Sequence, residues 1–363
     1  MRLPSNVVNF AQTDERLDAY KQFVDYYNHK NNKVGYFDSS VAIDQKKKEL
    51  DLAIRSEIAF MSGVSNELVT NLTPEVLASH PTYQWASFAV VAAMVDAVLP
   101  QTIIDSIGLY TDMRFGGFGD SFSFDIEARD LFVVSKHSNG INRAHLTKQY
   151  KGQVNIIPEN RQISVYTSLY KVLSDVENMA DFAMKAAISV ETQMTRDAYS
   201  AFNTAMEALD NSGDDALRFT GYTQSKLVSL CQKVSAYNGG KKAVIVGTQL
   251  ALQNILPANT NYRYDLQSDY ITIGYIKEAF GCDVMMLPQV ASGTDFTLQL
   301  DDNNVYVMCP SGDKLIKGAL EGSMLTRVVP SGDTADSSEI VTFSKRWGFA
   351  VATSSIAGLI ELS

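Results

Sequence analysis

The spacing of apolar residues along this chain changes several times, and each change marks an element. From Val176 the apolar positions step by three and four through Ala180, Ala183, Ala187, Val190, Met194, Ala198, Ala201, Ala205 and Leu209. That period draws one stripe down a single helix over 173–209, and no Pro or Gly interrupts the chain between Pro158 and Gly213. At about 1.5 Å per residue such a helix spans roughly 50 Å, more than the width of a small domain. Its alanines permit close approach of a neighbouring layer, and Val176, Ala180, Ala183, Ala187, Val190 and Met194 form its expected packing face. Globular helices usually run to about 8–20 residues, so this one asks for a special architecture.

Upstream the period falls to two. Over 121–129, Phe122, Phe124, Ile126 and Ala128 alternate with Ser121, Ser123, Asp125, Glu127 and Arg129, the pattern of a half-exposed strand. A looser return run follows through Leu146, Lys148 and Tyr150, with Val154 and Ile156 alternating with Gln153 and Asn155. Between the runs stands KHSNGINRAH, residues 136–145, centred on Asn139-Gly140. Asn-Gly is the strongest short hairpin signal, because both central residues of a type I′ turn need positive φ. The arms exceed the usual strand length, which predicts a projecting ribbon with a polar tip of Lys136, His137, Asn139, Gly140, Arg143 and His145.

The rest is punctuated more ordinarily. Two thinly apolar helices are predicted over 14–27 and 41–61, an arm laid on something else, with Lys46–Lys48 on a solvated face. Pro81 and Pro100 bracket an apolar helix over 85–99. Beyond Gly213 helices and short strands alternate: a helix over 227–237, a buried strand over 242–246, and a helix capped by Thr248 running to 256. A helix over 271–280 and a strand over 284–287 come next, then strands over 296–300 and 305–308 joined by the turn Asp301-Asp302-Asn303-Asn304. Apolar alternation returns over 340–343 and 348–353, and 356–362 closes the chain.

Composition narrows the function classes. The chain has 363 residues, 45% apolar and 20% charged, enough for more than one core. A net charge of -10 argues against a general nucleic-acid coat. No apolar run is long enough to cross a membrane, since Asp96 interrupts the best candidate, and the first residues lack a signal-peptide core, which predicts a cytosolic product. Cys231, Cys282 and Cys309 are isolated and show no zinc spacing, so they read as small buried hydrophobes. Gly116, Gly117 and Gly119 fail the dinucleotide fingerprint, because Phe122 stands where the third glycine belongs and a strand follows. Gly239-Gly240-Lys241-Lys242 precedes its strand and lacks a following Ser or Thr, so it reads as a turn, not a phosphate loop. His137 and His145 flank the ribbon turn without a carboxylate or thiol beside them to complete a metal site. No catalytic, metal or cofactor site is expected.

The order of these elements resembles the major capsid protein of tailed bacteriophages, with the Hong Kong 97-type α+β fold. The resemblance covers residues 85–363 and is carried by GDSFSFDIEARDLFVVS, by SLYKVLSDVENMADFAMKAAISVETQMTRDAYSAF, and by KKAVIVGTQLALQNIL followed by IGYIKEAFGCDVMMLPQ. It implies an N-terminal helical arm over 1–80, the start of a peripheral domain over 81–118 and an extended hairpin loop over 119–168 lying on a neighbouring subunit. It further implies a spine helix over 169–212, an axial domain over 213–315, peripheral return strands over 316–350 and a last axial segment over 351–363. Implied partners are further copies in pentamers and hexamers, a portal, scaffolding or decoration proteins, and packaged double-stranded DNA held without sequence preference. Spine and ribbon are both expected to be covered by neighbouring subunits. Only 65–80 residues precede the body, so an uncleaved arm is expected. No asparagine follows Asn304, so a shell without lysine–asparagine crosslinks is expected too. An encapsulin-type nanocompartment shares the same layout. An α/β enzyme with a dimerisation arm, its site near Gly247 and Pro288, is the reading from another class.

Overall fold

The computed structural model describes residues 5–11, 13–33, 36–63, 81–107, 110–127, 151–168, 179–209, 216–255, 274–292, 296–310, 313–330, 338–352 and 355–363. Its helices are α1 (Ser5–Ala11), α2 (Asp14–Lys30), α3 (Ile43–Ser62), α4 (Pro81–Ile107), α5 (Met179–Glu207), α6 (Gln224–Tyr237) and α7 (Gln249–Gln253). Its strands are β1 (Thr111–Gly116), β2 (Phe122–Glu127), β3 (Lys151–Ile156), β4 (Glu159–Ser168), β5 (Arg218–Thr220), β6 (Val244–Gly247), β7 (Glu278–Ala279), β8 (Cys282–Met286), β9 (Asn304–Met308), β10 (Ile316–Pro330), β11 (Ser338–Val351) and β12 (Gly358–Glu361). They form a four-stranded sheet ordered β1-β10-β11-β4, a six-stranded sheet ordered β5-β12-β9-β6-β8-β7, and the ribbon β2-β3. The α+β class is as expected.

Helix α5 joins the two sheets. It packs on α4 and β11 and also reaches β12. Its apolar stripe is the predicted one: Ala180, Ala183, Ala187 and Met194 are fully buried and Val190 nearly so. Toward its C-terminus Phe202 lies against the Tyr306 ring at 4.7 Å, and the Tyr306 hydroxyl donates to Asn203 Oδ1 at 2.9 Å. Alternation on β6 and β9 explains the second layer. Val244, Val246, Tyr306 and Met308 point into the main core, while Ile245, Val305 and Val307 point into a second core with Leu227, Leu230 and Val234 of α6. Thr223 and Thr248 cap α6 and α7 through their side chains, the latter as expected.

Several expectations need correction. The spine face is covered by the chain's own α4 and sheet strands, so no neighbour is needed to bury it. Val176 lies outside the described residues, and α5 is described over 29 residues, about 43 Å. The arm helices bury a great deal: Tyr20, Phe23, Val24 and Tyr27 of α2, with Leu50, Ile54 and Ile58 of α3, are almost inaccessible. Tyrosine supplies this face; its ring is apolar surface even where its hydroxyl reads as polar. Lys46 is buried against Asp25 at 2.5 Å and the half-buried Lys47 pairs with Asp181, so Lys48 is the exposed residue of that run. Pro100 lies inside α4 and does not end it; packing against α5 and the sheet outweighs one lost backbone bond. The predicted helix over 271–280 is absent from its described part, where Gly274 has φ 89° and Glu278–Ala279 is a strand. Over 296–300 only an isolated bridge, Ala291 to Leu298, replaces the predicted strand. The run 340–343 and the part of 348–353 up to Val351 belong to one strand, β11, with Lys345 between them pointing inward.

Candidate assembly surfaces

The polar tip, with Lys136, His137, Asn139, Gly140, Arg143 and His145, lies outside the described residues. What the structure places is the root of the ribbon. β2 and β3 pair antiparallel from Phe122↔Ile156 to Glu127↔Lys151. The inward side chains Phe122, Phe124 and Ile156 form a small core with Ala319 of β10, on the sheet face opposite the helices. The period-two pattern of 121–129 therefore sets which side of the ribbon grips the body. Gly348 leaves room for β3, since a Cβ there would stand 3.0 Å from Ile156.

Charged groups complete the grip. The Arg114 guanidinium lies 4.2 Å from the Phe124 ring centroid, and Lys317 lies over the same ring at 5.9 Å. Lys317 is buried and holds Asp313 at 2.5 Å. Glu321, also buried, accepts the Gly119 amide at 2.7 Å and the Arg346 guanidinium at 2.9 Å. Arg346 in turn donates to the Pro158 carbonyl at 3.0 Å, tying the far strand of the ribbon. Around this root Phe115, Phe118 and Ile157 are exposed, Ile157 by 80%. Sequence reasoning missed these three. Phe115 and Phe118 flank the glycines of the failed dinucleotide fingerprint, whose spacing says nothing about an exposed apolar surface.

A second feature is the clasp between arm and spine. Asp181, in the first turn of α5, takes Lys30 at 2.9 Å, Lys47 at 2.6 Å and the Tyr26 hydroxyl at 3.2 Å. Burial pushes this carboxyl's pKa up, but the hydrogen bonds from Lys47 and Lys30 outweigh it and bring it down to about 2. The Tyr27 hydroxyl bonds Glu191 one helical stretch further on, and Arg16 holds the buried Glu57 in a two-pronged pair. A third feature is a groove of about 490 Å³ between α5 and the edge strand β4, with Arg161, Ile163, Ile188 and Arg196 on its walls and Phe343 and Trp347 on its floor.

Chemistry is sparse around these surfaces. Among the described residues no group of three or more His, Cys, Asp or Glu is placed to hold a metal ion. All three cysteines are buried, and burial together with Cys282 pushes the Cys231 thiol's pKa well up, the opposite of a reactive thiolate. Gly239 and Gly240 form the expected turn before β6, with φ 74° and 75°. Asp302 accepts from Thr248 at 2.6 Å and Gln289 at 3.1 Å, closing a loop. No described helix is long and apolar enough to cross a membrane.

Comparison with known proteins follows the same direction. None of the curated proteins matches the sequence. Solved structures similar to this chain include the capsid of a native GTA particle (11% identity, 71% of this chain and 90% of that one, TM-score 0.48). The capsid of the cyanophage P-SCSP1u is another (13% identity, 71% and 87%, TM-score 0.47). A virus-like particle from Pyrococcus furiosus is a third (12% identity, 72% and 96%, TM-score 0.41). The model of the family described as "SPbeta prophage-derived putative capsid protein YonB" matches residues 25–361.

Proposed function

As a chain that belongs to this YonB family of prophage-derived capsid proteins, the molecule is, we propose, the repeating subunit of a closed icosahedral shell, built from pentamers and hexamers around packaged double-stranded DNA. Its work is mechanical, not catalytic. The observation that carries the reading is the ribbon: two strands gripped at their root by Ala319, Glu321 and Arg346, on the sheet face away from the helices. A two-stranded ribbon is marginal by itself in water, so its outer part needs a surface to lie on. A second copy supplies one, and heterologous contacts that close by rotation give rings.

In this reading the order of arm, ribbon, spine helix and six-stranded sheet is that of a Hong Kong 97-type subunit. Within 119–168 the ribbon up to Pro158 serves as the extended loop, while β4 belongs to the four-stranded sheet; 169–212 serve as the spine, and 213–315 with 351–363 as the axial domain. The tip residues Lys136, His137, Arg143 and His145 meet acidic groups of the adjacent subunit. Portal, scaffolding and decoration proteins complete the particle, and DNA lies inside without sequence-specific contact.

Sedimentation of the purified chain tests this. Pentamers, hexamers or particles support it, and a species no larger than a dimer at every concentration overturns it. Particles carrying a co-purifying enzyme in place of nuclease-protected DNA would identify a nanocompartment. Arg143→Glu is expected to lower particle yield with an unchanged melting curve. Denaturing gels of particles are expected to show the monomer alone, at its intact mass.

A further inference from the structure

β10 and β11 change register once. Glu321 pairs with Arg346 and Leu325 with Ser344, so Gly322, Ser323 and Met324 together face the single residue Lys345. A bulge of this kind takes backbone groups out of the ladder, and inside a protein those groups need other partners. Here one buried ion pair supplies both. Asp96 of α4 and Lys345 are 3% and 4% exposed and 2.7 Å apart. The second oxygen of Asp96 accepts the Met324 amide at 2.7 Å, and the Lys345 ammonium also donates to the Gly322 carbonyl at 2.7 Å. Donor and acceptor released by the bulge are thus matched, one to the carboxylate and one to the ammonium.

The opposite face of the same bulge carries the ribbon. Gly322 has φ 63°, a left-handed conformation that favours glycine, and the Phe118 ring covers it so closely that a Cβ would stand 2.4 Å from the ring. Gly119, the next residue, donates to Glu321, the last residue paired before the register shifts. The turn that leads into β2 is therefore seated on the bulge.

We infer that Asp96 and Lys345 are positioning residues for the assembly ribbon: they specify the β10 bulge from the helical side, and the bulge sets the direction in which β2 and β3 leave the body. A buried ion pair contributes little to stability over an apolar pair of similar volume, but it fixes one arrangement of its neighbours, and the arrangement fixed here is a register. The inference rests on the shell reading for its consequence, though the coupling across the sheet stands without it.

The test uses Asp96→Leu/Lys345→Met, which removes both charges and leaves no lone buried ion. Native-state hydrogen exchange reads the result. The Met324 amide is expected to exchange roughly a hundredfold faster, and the Gly119 amide, which touches neither replaced side chain, roughly tenfold faster, while α5 amides keep their protection. Particles of the variant are expected to fail to close or to differ in diameter. Unchanged protection at Gly119 in a folded variant overturns the inference, as does a variant forming particles of wild-type diameter and yield. If the double variant does not fold, Gly322→Ala perturbs the bulge from the ribbon side alone. It is then expected to release the Met324 amide from protection, and unchanged exchange there overturns the inference as well. Failure of the wild-type chain to assemble would strike the shell reading alone, because the exchange results do not depend on it.

Discussion

Both sheets of this chain bury apolar side chains, but they differ in the charge they bury. Under α6 and α7 the six-stranded sheet packs Leu227, Leu230, Ile245, Val305, Val307 and Ile360, all apolar, and its ion pairs Lys242–Asp283 and Arg218–Glu361 stay at or near the surface. The four-stranded sheet carries Lys317, Glu321 and Lys345, and α4 sets Asp96 against it, all at 2–4% exposure and each held by named partners. Apolar burial is nondirectional and tolerates small shifts, whereas a buried charge with two or three fixed partners allows one geometry. The ribbon is rooted on the second kind of sheet. Directional accuracy is concentrated where the ribbon root is seated, and plain apolar burial is used in the other sheet.

The sharpest way to break this comparison is to unpair one buried charge. Asp96→Leu leaves the Lys345 ammonium without its carboxylate and is expected to cost about 3–5 kcal/mol in chemical denaturation. A cost under about 1 kcal/mol would mean that water reaches Lys345 and that the sheet is not built on fixed charge. Leu230→Ala removes a fully buried side chain packed against Gly358 in the apolar core. The expected loss is about 2–4 kcal/mol, with no change in ribbon-root exchange. If the Gly119 amide loosens in that variant, the two sheets are not independent in the way described.

A smaller effect is expected at the arm clasp, which is charged but only partly buried. Asp181→Asn should destabilise by roughly 1 kcal/mol, since the carboxylate is 30% exposed and water screens the pairs. Its pH dependence has a definite sign. A carboxyl whose folded pKa lies below its ordinary value of 3.8 contributes stability that is present above that value and is lost as pH falls toward about 2. Residue-resolved NMR of the α2 amides is therefore expected to report arm loosening between about pH 5 and pH 2 in the wild type. In Asp181→Asn that transition should shrink. An identical acid transition in both proteins would mean that Asp181 does not govern it.

Much of the fold was legible because it depends on local period. The stripe from Ala180 to Met194, the alternation of Phe122 and Phe124, and the cap at Thr248 are each decided within a few residues. The arm helices were legible in part. Tyr20, Phe23, Val24 and Tyr27 have helical spacing, but tyrosine reads as polar in the pattern although its ring is core-forming surface. The bulge was not legible at all. Asp96 only interrupts an apolar run, and Lys345 sits in a polar gap between two apolar ones; their meeting spans 249 residues of chain. Register is a long-range property, and no local pattern encodes that β10 carries two residues more than its partner. For the same reason nothing near Phe118 in sequence marks the close contact of its ring with Gly322, far away along the chain.

The most direct measurement is cryo-electron microscopy of particles assembled from the purified chain. Closed icosahedral shells are expected, with the stretch 136–145 of each subunit lying on an adjacent subunit and the β10 bulge intact beneath the ribbon root. Shells in which the ribbon folds back on its own subunit, or preparations without closed shells, would contradict the account.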